Sequence, residues 1–484
     1  MERYWDRRDF LKTAGAGTVG ALAAASLGNR EAQAAVKPNI LFIMLDDLGK
    51  DWVSCYGGEI ETPKVDQLAA EGMRFKNAYS TPQCTPTRLQ LLTGQYPFRH
   101  GWVNHWDVPR WGHAYFDWEE YPSLGRVMQS AGYATAIAGK WQVNDFRVQP
   151  RALEKHGFDD WCVWTGFETG NPPSSERYWD PYLYTREGSQ TYEGEFGPDM
   201  FTDFLIEFMR EHREEPMFLY FPMCLPHTPF TATPLEPDAE GRMERHKAMV
   251  RYCDHLLGRL VEALEELGLR ENTIIIWTTD NGSGVAGSID GHDVDSGKGQ
   301  TSEMGVCAPF IVNGPGIVPE GVVTDALTDF TDLMPTFAEL AGAELPPDYT
   351  YDGESIAALL LGEAEDSPRE WIMAMGGQNN ARLTDAGVEN EWWFRDRVLR
   401  DKRYKLYVGA DRKAEKLFDL SSGPFEEKDI LEEAGGEARE AMERLLQVAE
   451  GFPEQDNDPR YHPPQEAYVE VTAESQTWKK GQPD

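Results

Sequence analysis

Two segments of this chain, more than two hundred residues apart, share one pattern: an unbroken apolar run that stops at an acid. "PNILFIMLDD" (38–47) ends in Asp46 and Asp47, and "ENTIIIWTTDNGSG" (271–284) runs through an apolar stretch to Asp280, Asn281 and a glycine turn. A strand without apolar/polar alternation is buried on both faces, so each segment reads as an interior strand of a sheet covered by helices on both sides. In such sheets ligands bind beyond the carboxyl ends of the strands, where both runs place their acids. Further strands are expected in "YATAIAGKW" (133–141), "PMFLYFPMCLPH" (216–227) and "APFIVNGPG" (308–316).

Helical stretches alternate with them. "TPKVDQLAAEGMRF" opens with a Thr cap and a Pro, while "MFTDFLIEFMREHREE" and "HKAMVRYCDHLLGRLVEALEELG" carry apolar residues at helical spacing, the latter stopping at Gly268. The expected fold class is α/β: a large mixed, mostly parallel sheet sandwiched by helices. The chain has 484 residues, and single cores stop growing near about 250–300 residues, so a second unit is expected. After about residue 365 the pattern shifts to short strands with turns, "RDRVLRDKRYKLYVGA" and "AEKLFDLSSGPFEEKDI", then a helix from about Gly436 to Glu450 and a polar tail. Residues 35–365 therefore read as the main α/β domain, and 366–484 as a smaller C-terminal α+β subdomain with an antiparallel sheet.

Residues 1–34 read as an address. Arg7-Arg8-Asp9-Phe10-Leu11-Lys12 precedes a small-residue apolar stretch from Ala14 to Leu27, and Ala32-Gln33-Ala34 offers a cleavage site. The pattern is that of a twin-arginine signal peptide, which implies a periplasmic or secreted protein. Beyond the first forty residues no run of about twenty apolar residues occurs, so no stable membrane insertion is expected. Lys plus Arg number 46 against 82 Asp plus Glu, a net charge of −36. Such a field repels polyanions, which excludes nucleic acid as partner and requires any anionic substrate to be attracted locally. The six cysteines, Cys55, Cys84, Cys162, Cys224, Cys253 and Cys307, are scattered without metal-type spacing. Cys224, Cys253 and Cys307 lie in apolar or helical surroundings and read as buried small hydrophobes.

Asp46, Asp47, Asp280 and Asn281 offer four hard oxygen donors at the ends of two strands of one sheet, a set suited to Ca²⁺ or Mg²⁺. The alternative is that either pair merely caps a turn. In "QCTPTRLQLLTG" (83–94) a thiol stands at the mouth of a helix, with Pro86 tolerated in its first turn and free N–H groups there favouring a bound anion.

The order of "LDD", "CTPTR" with "LQLLTGQYP", "AGKW", "PHTPF", "TTDNG" and "GKGQTSEMG" resembles the type I, formylglycine-dependent sulfatases of the alkaline phosphatase superfamily, over about residues 38 to 430. The resemblance implies a sulfuric ester hydrolase acting on sulfate esters, such as those of a sulfated sugar or polysaccharide. It implies that a formylglycine-generating maturation enzyme oxidises Cys84 to Cα-formylglycine, whose hydrate supplies the nucleophilic oxygen. It further implies that Arg88 orients that nucleophile. Asp46, Asp47, Asp280, Asn281 and residue 84 would hold Ca²⁺, with Mg²⁺ the alternative. Lys140, His227 and Lys298 would bind the sulfate, with His227 as donor to the departing alcohol oxygen.

One position departs from the family pattern. Gln142 stands where the family has a histidine contacting the formylglycine hydroxyl, and an amide can hydrogen-bond that oxygen but not take its proton. His100, His105 and His292 are the candidates to replace it, each with a structural or substrate-contact role as the alternative. Trp102, Trp106, Trp111 and Trp118 form either a sugar-stacking platform or core packing. Two other readings stay open: a phosphonate or phosphoester hydrolase of the same superfamily, and a non-catalytic binder of sulfated glycans, suggested by Gln142.

Overall fold

The computed structural model describes residues 37–457, apart from 104–114, 148, 167, 169–170, 377–380, 385–386 and 391–392. The signal-peptide reading, His105, Trp106, Trp111 and the C-terminal tail beyond 457 lie outside the described residues. A ten-stranded sheet organises the chain. Its strands are β1 (Asn39–Leu45), β2 (Met73–Tyr79), β3 (Ala134–Lys140), β4 (Asp160–Trp164), β5 (Tyr182–Thr185), β6 (Gly188–Thr191), β7 (Met217–Pro222), β8 (Thr273–Thr279), β9 (Phe310–Asn313) and β10 (Val322–Asp329). Their spatial order is β10-β2-β9-β8-β1-β7-β3-β4-β5-β6. The middle block, β8-β1-β7-β3-β4, is parallel throughout. β9 runs antiparallel to both neighbours, and β5 and β6 extend the far edge as antiparallel strands.

The apolar runs do what their lack of alternation requires. Ile40, Phe42 and Met44 of β1 join one core, with Phe218, Tyr220, Ile274 and Ile276. Leu41, Ile43 and Leu45 join a second on the opposite face, with Leu219, Phe221, Ile275 and Trp277. The first core is closed by Leu89, Leu91 and Leu92 of α2 (Cys84–Thr93) and by Phe337. The second is closed by Phe201, Leu205 and Phe208 of α3 (Gly197–Glu211) and by Leu256, Leu257 and Leu260 of α4 (Arg242–Glu266).

One helix expectation needs correction. α1 covers only Pro63–Ala70, and the "MRF" read as its end begins strand β2. Gly72 explains the break: a Cβ there would lie 2.4 Å from the Val312 carbonyl oxygen, so the backbone passes too close to β9 for a helix to continue.

The C-terminal part forms a separate antiparallel sheet of β11 (Ile372–Met375), β12 (Arg397–Arg400), β13 (Tyr404–Val408) and β14 (Ala414–Asp419), in that order. Helix α5 (Glu437–Glu450) packs Ala441, Leu445 and Ala449 on this sheet, in one core with Leu406, Val408 and Leu417. Ile372, Ala374 and Val398 pack with Tyr79, Val306 and Leu327, joining this sheet to the large one.

Candidate active site

Register brings the acids together. β1 and β8 pair in parallel with Leu45 opposite Thr279, so Asp46 and Asp280 leave the sheet level with one another. The Asp280 N–H donates to the Leu45 carbonyl at 3.1 Å. The next residue, Asp47, takes a left-handed conformation at φ +68. Such a backbone is uncommon outside glycine, although aspartate adopts it more readily than most residues, and it clusters where function demands it. Asn281 donates through Nδ2 to Asp47 Oδ1 at 2.8 Å and to the Gly282 carbonyl at 2.9 Å.

Cations converge on these carboxylates from three other elements. Lys140, the last residue of β3, donates to Asp46 Oδ2 at 2.7 Å. Gly139 before it adopts φ +120, and a Cβ there would stand 2.0 Å from the Pro222 carbonyl oxygen, so β3 and β7 approach closely enough to aim Lys140 only with glycine at 139. Arg88, one turn into α2, donates from Nε and Nη2 to Asp280 Oδ2 at 3.1 and 2.6 Å. Lys298, on the loop after the 287–294 hairpin, donates to Asp47 Oδ2 at 2.5 Å and keeps 28% of its side chain exposed.

Burial would raise the Asp46 carboxyl, but the charges of Lys140 and Arg88 hold it well below the ordinary carboxylate range. Burial and the adjacent Asp46 charge push Asp280 up to about 7 against Arg88 and Lys140. Burial would lower the Lys140 ammonium, but Asp46 outweighs it and raises that group. Burial and the neighbouring Lys298 charge push His227 down to about 3, which leaves a neutral imidazole at neutral pH.

Cys84 is the first residue of α2 and is fully buried. Its Sγ and one ligand atom from each of Asp46, Asp47 and His227 all lie within 4.8 Å of one another. These residues fit a divalent cation on a second observation. Asp46 Oδ1 and Asn281 Oδ1 are buried oxygens with no hydrogen-bond partner among the described residues. Such orphaned acceptors are costly unless something outside the chain satisfies them. Both belong to the all-oxygen set that hard cations take. The Asp280 oxygens, by contrast, are taken up by Arg88 and by the Asp47 N–H at 3.1 Å.

The remaining expected residues divide. Gln142 is buried next to β3 at φ +62, packed against Gly166. His100 is buried at the end of a short helix, its Nδ1 accepting the Trp102 N–H at 3.0 Å, a local structural role. His292 is exposed on the 287–294 hairpin with its ring tilted against Phe425, and it is not part of the cluster of Asp46, Asp47, Cys84 and His227. Trp102 lies in the core and Trp118 packs against it, so for these two the core-packing alternative holds and the platform does not. All six cysteines are unpaired, with Cys224, Cys253 and Cys307 buried as expected.

Sequence reasoning missed Arg177. It sits in the loop before β5, is 8% exposed, and its Nη2 donates to His227 Nδ1 at 2.8 Å. Nothing in "SSERYWD" marks it, because its importance arises only when the loop folds back over the turn that carries His227.

The family model described as Sulfatase matches residues 38–343. Over 382 residues the chain is 31% identical to the N-acetylgalactosamine-6-sulfatase of Canis lupus familiaris, covering 72% of this chain and 70% of that protein. Over 489 residues it is 29% identical to the N-acetylgalactosamine-6-O-sulfatase of Bacteroides thetaiotaomicron, covering 85% and 93%. In fold it is similar to the crystal structure of Ps i-CgsB, with a TM-score of 0.74 at 23% identity, covering 92% and 99% of the two chains. It is also similar in fold to the phosphonate monoester hydrolase of Agrobacterium radiobacter, with a TM-score of 0.61 at 20% identity and coverage of 88% and 100%.

Proposed function

Because the chain belongs to the sulfatase family and is a sulfuric ester hydrolase of the arylsulfatase-like kind, we propose that it removes sulfate from a sulfated sugar, with a 6-O-sulfated N-acetylgalactosamine as the first candidate. The relatives named for that sugar support the choice. The observation that carries the reading is the meeting of Cys84 with Asp46, Asp47 and His227 within 4.8 Å, at a helix N-terminus suited to an anion.

Formylglycine at position 84 would supply a hydroxyl nucleophile, and a divalent cation, Ca²⁺ with Mg²⁺ the alternative, would neutralise sulfate charge. The chain's own residues do the rest. Asp46, Asp47, Asp280, Asn281 and residue 84 would hold the cation, with Asp280 also fixed by Arg88. Lys140 and Lys298 place positive charge where sulfate oxygens arrive, the local attraction that a chain of net charge −36 otherwise lacks. His227 presents its ring to the departing alcohol oxygen. Gln142 can hydrogen-bond a hydroxyl at residue 84 without taking its proton.

The same reading includes maturation of Cys84 by a formylglycine-generating enzyme and export through the twin-arginine route. Arg7, Arg8 and the Ala32-Gln33-Ala34 site support the latter.

The test is sulfate release by protein coexpressed with such an enzyme, from 4-nitrophenyl sulfate and a panel of sugar sulfates, with phenyl phosphonate esters alongside. Release from a sugar sulfate is expected. Turnover of the phosphonate alone would reassign the substrate class.

A further inference from the structure

Arg177 is the buried cation near the site that the sulfate chemistry leaves unused. Its guanidinium carbon lies 4.4 Å from the centre of the Trp164 ring, and Nη2 bridges two acceptors, the Thr228 carbonyl and Nδ1 of His227. That carbonyl is itself 2.6 Å from the same Nδ1. Tyr178 donates to the Cys224 and His227 carbonyls at 2.7 and 2.5 Å, so the backbone of this turn is fixed as well.

A guanidinium has N–H groups and no acceptor. Nδ1 faces both that donor at 2.8 Å and the Thr228 carbonyl, and because the carbonyl already accepts from the same Nη2, Nδ1 presents its lone pair to Arg177 and the single proton of a neutral imidazole sits on Nε2. Nε2 is the nitrogen 3.5 Å from Asp47 Oδ2, turned toward the reaction centre. Without Arg177, the Thr228 carbonyl loses its donor and is left to accept from Nδ1. The proton would move to Nδ1, and Nε2 would show the substrate a lone pair. The same constraint keeps His227 from completing a metal site with Asp46, Asp47 and Cys84, because an imidazole that ligates through Nε2 carries its proton on Nδ1.

We propose that Arg177 is a positioning residue that locks His227 in the Nε2–H tautomer, so that the imidazole donates a hydrogen bond to the alcohol oxygen as its bond to sulfur breaks. As the oxygen at residue 84 bonds sulfur, the bonding pair passes to the alcohol oxygen, and the Nε2–H stabilises the charge it acquires until that oxygen takes a proton from water. A neutral imidazole acting through its N–H is sufficient for this role. The inference rests on the sulfatase reading.

The test uses leaving groups of different basicity. A 4-nitrophenolate leaves without help, whereas a sugar alkoxide needs a donor. Arg177→Met in the matured enzyme is expected to keep kcat/KM for 4-nitrophenyl sulfate within about threefold of wild type, and to lose about 10²–10³-fold on the best sugar sulfate of the panel. An equal loss on both substrates would overturn the proposal and leave Arg177 a structural residue. Failure of the wild-type enzyme on every sulfate would overturn the sulfatase reading instead, and with it the role in leaving-group departure. The tautomer itself is read independently of activity and of whether the variant folds. Nitrogen-15 spectra of histidine-labelled wild-type protein, with the His227 signals assigned by H227Q, are expected to show a protonated Nε2 and a bare Nδ1; a protonated Nδ1 would overturn the lock.

Discussion

Arg88 gives both of its hydrogen bonds to one oxygen of Asp280, at 3.1 and 2.6 Å, while the other oxygen of that carboxylate receives the Asp47 N–H at 3.1 Å. The pair is buried, so each partner is the other's replacement for water. Arg88→Met strands a buried carboxylate and is expected to cost about 3–5 kcal/mol of stability together with turnover. Arg88→Lys keeps the charge but not the fork and should fall between the two. Urea denaturation of the three proteins checks this; equal midpoints would mean that the pair adds nothing to stability.

Chelation should destabilise the enzyme. Asp46 Oδ1 and Asn281 Oδ1 have no hydrogen-bond partner among the described residues, so a cation bound there stabilises the folded state by mass action, about 2.7 kcal/mol at a hundredfold excess over Kd. Treatment with EDTA is expected to lower Tm by a few degrees and added Ca²⁺ to restore it, more effectively than Mg²⁺. Asp46→Asn should abolish the recovery. Calorimetric titration of the metal-free protein measures the binding directly.

Gly139 and Gly132 both have positive φ, but only one is crowded. A methyl on Gly139 meets the Pro222 carbonyl, whereas on Gly132 it meets nothing within 4 Å. Gly132→Ala should cost about 1 kcal/mol for its backbone alone, and Gly139→Ala at least about 3 kcal/mol. Gly139→Ala should also raise KM, because Lys140 moves with the strand. Thermal melts and steady-state kinetics separate the two effects.

Glu303 provides a pH dependence away from the metal site. Burial would raise its carboxyl, but Arg400 and Lys405 outweigh that and hold it at about 2, against an ordinary 4.5. Its folded-state value is depressed, so its stabilisation is fully present above about pH 4.5 and is lost as pH falls toward 2. The full contribution is on the order of 3 kcal/mol. Denaturation of wild type and Glu303→Gln between pH 6 and pH 3 should show a gap that closes on acidification. A gap that stays constant would refute the assignment.

Much of the site was legible because its residues close apolar runs. Asp46 and Asp280 end strands that can only be interior, and parallel pairing then makes them neighbours. Cys84 and Arg88 share the first turns of one helix, so their proximity is local. What the sequence hid depends on contacts between distant segments. Strand β2 alternates charged Arg74 and Lys76 with apolar residues next to a helix, and only the approach of β9 at Gly72 ends that helix. Arg177 reaches His227 over a sequence separation of 50. Platform and core packing stayed open for the tryptophans of 102–118 because spacing says nothing about which way a ring faces; Trp102 faces the core.

Every residue of the helix that begins with Cys84 is buried, and the thiol itself has no exposed surface. An enzyme that rebuilds this side chain cannot dock on the finished molecule, since it would have to lift α2 off a packed sheet. In the proposed reading, conversion of Cys84 is therefore a question of timing: a maturation enzyme would act on the chain before α2 settles, and a molecule that folds first would be trapped with its thiol intact. Active fraction in any preparation then reports a race between two rates, and slowing folding should raise it.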